Sequence, residues 1–437
     1  MRTSLAFLAG VGVALLAAAE PPRMEPAGGW QVKVTCDGAS AVLTVDPPDV
    51  ATVADEKYDA LAVFQGPCWR CGTPLLGTKA EACSVADALE NASLVVRDGP
   101  GAAAKTYALD KDYKLEPRWG GFGRIDGSAI PADKPVYASY RYAMMRLDSV
   151  VLTADKKLAL RKGVPHVATP CAPELAAGET RVGNVWIPGR VDAVAPTMLF
   201  PILEAAYPEA KVAGPTPAEK SLPKTLAKLQ AGGTVRILAW GDSVTECIYL
   251  PFEKKWQEQF AARLRERFPK ATIVMLSEGW GGRSTGSYRS EPPGSPRNYA
   301  EKVLGLKPDL IVSEFINDAS MNEAAVLENY GAILKDFKAI GAEWAILTPH
   351  YSRPDWMGLK QETEIDQDPR PYVHGLRLFA ENNPVALADA SLRWGRLWRQ
   401  GIPYSTLLVN NINHPNERGM KLFADALMAL FGPAEAK

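Results

Sequence analysis

From residue 234 onward, short apolar runs alternate with segments whose apolar residues return every three to four positions. The runs TVRILAW, TIVMLSE, DLIVSEF, EWAILTP and VALADA read as strands. The segments EKKWQEQFAARLRERF, NEAAVLENYGAILKDFKAIG, PYVHGLRLFAENN, ASLRWGRLWRQG and GMKLFADALMALF read as helices. Alternation of this kind predicts an α/β domain, a three-layer, flavodoxin-like parallel sheet with crossover helices. Its ligands bind beyond the carboxyl ends of the strands.

Before residue 215 the pattern is different. The segments QVKVTC, SAVLTV, ALAVF, SLVVRD, PVYASYRYAMMRLDSVVLTA and RVGNVWIPGRVDAV are rich in β-formers and separated by Gly, Pro and Asp. This half reads as β-rich, sandwich-like material, divided into residues 20–130 and an accessory part at 131–214. KVAGPTPAEKSLPK marks the passage to the α/β domain at 215–437.

The first residues read as an address. Arg2 precedes an uncharged stretch from Ser4 to Ala19 that ends in Ala17-Ala18-Ala19, the layout of a cleaved secretory signal over residues 1–19. The stretch is too short and too rich in Ala and Gly to span a bilayer comfortably. A secreted or periplasmic location is expected, with no integral membrane segment.

Composition narrows the partners. Of 437 residues, 49 are basic and 50 acidic, with no block of like charge, which leaves no electrostatic footprint for nucleic acid or an anionic membrane. The six cysteines permit disulfides in an exported protein, but the sequence does not choose a pairing. Cys68-Trp-Arg-Cys71 lacks the strand-to-helix setting of a redox site, and no second such pair completes a zinc set. No ligand cluster or phosphate-binding glycine loop implies a metal or organic cofactor.

Chemistry gathers at the strand ends. The first strand stops at Gly241-Asp242-Ser243, which delivers a hydroxyl to the turn into a helix. After the second comes SEGWGGRSTGSY, a glycine-rich turn able to present backbone N–H groups; after the third comes EFINDAS, with the carboxamide of Asn317. NNINHPNERG places His414 just before the last helix. A nucleophile, hydrogen-bond donors and a base are thus expected at one edge.

Together these blocks resemble the SGNH, or GDSL-type, hydrolase family over about half of the chain: Gly241-Asp242-Ser243, Gly282, Asn317-Asp318 and His414-Pro415. The resemblance implies Ser243 as nucleophile and His414 as general base. It also implies an oxyanion hole made by the Ser243 and Gly282 N–H groups with the Asn317 side chain. Asp242 is then structural. The family carries aspartate three residues before the histidine, where this chain has Asn411, so His414 is expected to be oriented by Asn411 or by a backbone carbonyl, with Asp355 as another candidate acid. Phe315 stands where the family prefers glycine. The wording GGRST is similar to the rhamnogalacturonan acetylesterase branch.

The resemblance implies a secreted serine esterase that removes small O-acyl groups, acetyl above all, from carbohydrate. An acylated carbohydrate or other small ester is the expected substrate. The alternatives are a glycan-binding surface protein that keeps the scaffold without the chemistry, and an O-acyltransferase using the same residues. Arg283, His350 and Trp356 are candidate substrate contacts. His374 and His166 are expected to be structural, and Cys247 buried.

Overall fold

The computed structural model describes residues 20–209 and 214–433. The signal expected over residues 1–19 lies outside the described residues. Among the described residues, no helix is long and apolar enough to cross a membrane.

Five parallel strands form the α/β sheet: β1 (Thr234–Gly241), β2 (Thr272–Gly279), β3 (Leu310–Glu314), β4 (Glu343–Leu347) and β5 (Ala386–Ala388). Their spatial order is β2-β1-β3-β4-β5, so β1 is flanked by both its successors and the chain reverses direction across the sheet there. Side chains alternate between faces, and each face has its own core. Ile237 and Ala239 meet Phe260 and Leu264 from helix Trp256–Arg267, and Phe423 and Leu427 from helix Glu417–Ala429. Leu238 and Trp240 meet Ile333 and Phe337 from helix Glu323–Ala339, and Leu376 and Phe379 from helix Pro371–Glu381. Each Leu, Ile or Phe side chain among them contributes about 1.5–3 kcal/mol on burial, which fixes the sheet as a rigid platform for its own loops.

The first half consists of antiparallel sheets, but it does not divide near residue 130. Strand Val136–Ala143 is the middle strand of a sheet with Val50–Tyr58 and Val95–Arg97, so a boundary at 130 would cut through a hydrogen-bonded sheet. The strands Arg23–Gly28, Gln31–Cys36 and Ala39–Thr44 share a core with the later sheet containing Arg146–Leu152 and Thr180–Ile187, through Val32, Val34, Val150, Val185 and Ile187. Residues 50–143 are thus inserted between two segments that pack together. Turn signals mark where strands end but not which strands pair, so this partnership was invisible in the sequence. ALAVF forms no regular strand; Val63 makes a single bridge to Arg124.

The two halves are held together at several points. Asn184 Nδ2 donates to the Gly401 carbonyl at 2.6 Å, the Leu203 N–H to the Arg399 carbonyl at 2.7 Å, and Cys83 Sγ to the Asn410 carbonyl at 3.3 Å. The last contact brings the β-rich half against the loop that carries His414.

Candidate active site

Ser243 occupies the first position of a single-turn helix, Ser243–Glu246, directly after β1 and the Asp242 cap. The turn requires Gly241: a Cβ there would lie 2.1 Å from Thr245 Oγ1 and 2.4 Å from the Glu314 carbonyl oxygen. Asp242 is fully buried and accepts from the Val244 N–H at 3.1 Å, the Asn317 N–H at 3.0 Å and Asn317 Nδ2 at 2.9 Å. Its carboxylate therefore fastens the end of β3 to the serine turn.

The donors lie around Ser243. Gly282 has φ +71°, a conformation that glycine adopts without strain. The preceding residue is anchored by its N–H to Glu246 Oε2 at 2.8 Å, which ties the glycine loop to the serine helix. Among the described residues, the Ser243 and Gly282 N–H groups have no protein acceptor. Asn317 is exposed and commits one of its two side-chain N–H bonds to Asp242, leaving the other for a ligand.

His414 Nε2 lies 3.1 Å from Ser243 Oγ. Its loop is shaped by Asn410, whose Oδ1 accepts the N–H groups of Ile412, Asn413 and His414 at 2.9, 2.9 and 3.0 Å. The imidazole stacks on Tyr249, with ring centroids 4.6 Å apart and planes 3° from parallel.

The other ring nitrogen faces a residue the sequence did not suggest. Glu81 Oε2 is 2.9 Å from His414 Nδ1, across 333 positions of sequence. Glu81 sits at the tip of a two-residue hairpin between Lys79–Ala80 and Cys83–Ser84, with φ +50°. A non-glycine residue held in the left-handed region of a hairpin tip is a strained arrangement of the kind found at functional sites. Burial by itself raises the Glu81 carboxyl. The hydrogen bond and charge of His414 outweigh it, helped by the Ala82 N–H and Arg70, and the group ends below the usual glutamate range. It is therefore an ionised carboxylate facing an N–H. Nothing in the run KAEAC marks this role, because the contact exists only once the halves dock.

Asn411 does not hold His414. It has φ +55°, is largely buried, and its side-chain amide approaches Met145 Sδ at 3.8 Å. The left-handed backbone turns the side chain toward the β-rich half, and Glu81 takes the place beside Nδ1. Asp355 is not the acid either, since it pairs with Arg353 and Arg118.

His350 is likewise not a substrate contact. It is fully buried between Trp394 and Phe423, and burial, the main cause, lowers its pKa well below the ordinary histidine value. Its neutral ring donates through Nε2 to the Asn413 carbonyl at 2.6 Å, which supports the residue before His414. Arg283 is exposed and lies over the Trp280 ring at 4.9 Å, so its guanidinium borders the glycine loop. Trp356 is exposed beside Trp69. Cys247 is buried, and Cys68 and Cys71 form a disulfide.

Behind the serine turn lies an acidic cluster. Asp318 accepts from the Thr285 N–H and Oγ1 at 3.1 and 2.8 Å and from the Tyr330 hydroxyl at 3.1 Å; burial nonetheless pushes it up to about 6. Glu314 is fully buried, and neither carboxyl oxygen has a partner among the described residues. Burial first, then the neighbouring Asp242, raise its pKa well above the ordinary value.

Residues 239–422 match the family model described as GDSL-like Lipase/Acylhydrolase. Among solved structures, a two-domain esterase (CEX) active on acetylated mannans aligns at 16% identity and TM-score 0.40, over 50% of this chain and 54% of that one. This chain thus spans about half the length of that esterase. A variant of Axe2, an acetyl xylan esterase from Geobacillus stearothermophilus, aligns at 18% identity and TM-score 0.37, over 46% of this chain and 97% of that one. The acetyl xylan esterase AlAXEase aligns at 17% identity and TM-score 0.35, over 45% and 98%. No curated protein matches the chain.

Proposed function

From the premise that residues 239–422 are a GDSL-like lipase/acylhydrolase domain, we propose that the protein is a serine esterase whose catalytic triad is Ser243, His414 and Glu81. The observation that carries this reading is the unbroken hydrogen-bonded line from Glu81 Oε2 through both imidazole nitrogens to Ser243 Oγ, at 2.9 and 3.1 Å.

In this reading His414 Nε2 takes the Ser243 proton as Oγ attacks the ester carbonyl, and Glu81 holds the proton on Nδ1 and stabilises the imidazolium. The oxyanion is received by the Ser243 and Gly282 N–H groups and the uncommitted N–H of Asn317. Losing one such donor costs about a hundredfold to a thousandfold in kcat. His414 returns its proton to the departing alcohol, and water repeats the cycle on the acyl-serine.

The ester is proposed to be a small acyl group, acetyl foremost, carried on a carbohydrate. Arg283 and Asn317 give the rim of the site exposed polar groups suited to a hydroxyl-rich alcohol. The neutral amide of Asn411 in place of aspartate would suit a glycan-binding scaffold without chemistry, but Glu81 supplies the charge that Asn411 lacks. Acyl transfer to a sugar would use the same residues.

The test is acid release from short-chain aryl acetates and from acetylated xylan and pectin by the wild type and by Ser243→Ala. Release is expected from the wild type alone, with fluorophosphonate labelling only where Ser243 is present. Equal labelling of Ser243→Ala would place the nucleophile elsewhere, and acetyl appearing on an added sugar would make the protein a transferase.

A further inference from the structure

Trp356 is 47% exposed, in a single 3-10 turn, Pro354–Met357, that follows β4. Its neighbour is Trp69 of the β-rich half, edge to face, with centroids 5.8 Å apart and planes at 79°. Both are held rigidly. Trp69 lies inside the loop closed by the Cys68–Cys71 disulfide, and the Arg70 guanidinium covers its ring at 4.1 Å. The turn under Trp356 is fixed by the Arg353 N–H to the Ile412 carbonyl at 2.7 Å and by the ion pairs of Asp355 with Arg353 and Arg118.

The position of this pair is informative. Trp69 packs on a small core made by Cys83, Ala86, Trp119 and Ile412. Cys83 lies on the hairpin that presents Glu81, and Ile412 on the loop that presents His414. The two indoles, one from each half of the chain, therefore lie beside the segments that carry the carboxylate and the histidine. A braced, half-exposed indole is not a broad apolar patch of the kind that receives a protein. It offers one flat, electron-rich face to a ring of similar size.

We propose that Trp356, backed by Trp69, forms a subsite that stacks a neutral pyranose ring of the substrate. The inference rests on the esterase reading and adds to it the class of alcohol the site holds. The axial C–H bonds of the sugar lie against the Trp356 face, and the Arg and Asp side chains around the turn meet its hydroxyls. Because one indole comes from each half, the subsite exists only when the β-rich half is docked. That half then contributes recognition as well as Glu81.

Binding tests this without turnover. Ser243→Ala protein is titrated calorimetrically with xylohexaose, mannohexaose and a hexameric oligogalacturonate. At least one neutral hexaose is expected to bind, and adding Trp356→Ala is expected to weaken it by roughly tenfold or more, with Trp356→Phe retaining part of the affinity. A thermal melt of each variant separates lost contact from lost fold. Three results each overturn the proposal: no neutral hexaose binds, only the oligogalacturonate binds, or Trp356→Ala binds as tightly as its folded parent. Failure of the esterase reading is read separately, from aryl acetate hydrolysis by the intact enzyme.

Discussion

Glu81 of the β-rich half and His414 of the α/β half meet through a 2.9 Å contact between Oε2 and Nδ1. The carboxylate is part-buried, held below its usual pKa, and strapped to the histidine loop by Cys83 on Asn410. The strand-end residues therefore account for only part of the proposed catalytic machinery.

Replacing Glu81 by Gln keeps the shape and removes the charge, and leaves the histidine free to take the wrong tautomer. We expect kcat to fall by about a thousandfold or more with KM little changed. A Glu81→Gln enzyme within threefold of the wild type would remove Glu81 from the mechanism.

Asn411→Asp is the matching control. Its side chain faces Met145 in a largely buried place, so a charge there is desolvated, while Glu81 already occupies the place beside His414 Nδ1. The expected outcome is no gain in kcat together with a lower urea midpoint. A severalfold gain would return the orienting role to position 411.

Tyr249 sets the plane of the imidazole by stacking on it, and its electron-rich face favours the imidazolium that forms during attack. Tyr249→Leu should lower kcat by about tenfold, while Tyr249→Phe, which keeps the ring, should remain close to the wild type. Equal losses in the two variants would assign the effect to the hydroxyl instead.

Asp318 makes stability depend on pH in a definite direction. Its folded pKa is about 6, against about 3.9 unfolded. Between those values the native state holds a proton that the unfolded chain has released, so stability is highest below the lower one and declines as pH rises toward 6. Glu81 runs the other way, because its lowered pKa gives a contribution present above the unfolded value and lost in acid. The melting temperature of the wild type minus that of Asp318→Asn, followed from pH 3.5 to 7, should therefore decline across that window. A flat difference would mean that Asp318 does not titrate there.

The α/β half was legible because its strands are apolar runs and its helices amphipathic, and both patterns are local. The turns at Ser243, Gly282, Asn317 and His414 followed, since strand ends in such a sheet share an edge. His350 was misplaced by the same rule: it lies at a strand end, but Trp394 and Phe423 cover it. Two short helices before β1, Pro217–Ser221 and Pro223–Gln230, of 5 and 8 residues, have too few turns to show a periodic pattern. Glu81 and the pairing of strands 23–44 with the later sheet depend on contacts between distant segments, and no periodicity records those.

The separation of Glu81 from His414 also orders events during synthesis. At roughly 5–20 residues per second, the carboxylate leaves the ribosome tens of seconds before the histidine it holds. Ser243 emerges between them, before His414 exists to act on it. Throughout that interval the growing chain carries the proposed nucleophile without its proposed base. Nascent chains arrested near residue 400 should accordingly escape fluorophosphonate labelling, and reactivity should switch on only as the last helix is completed.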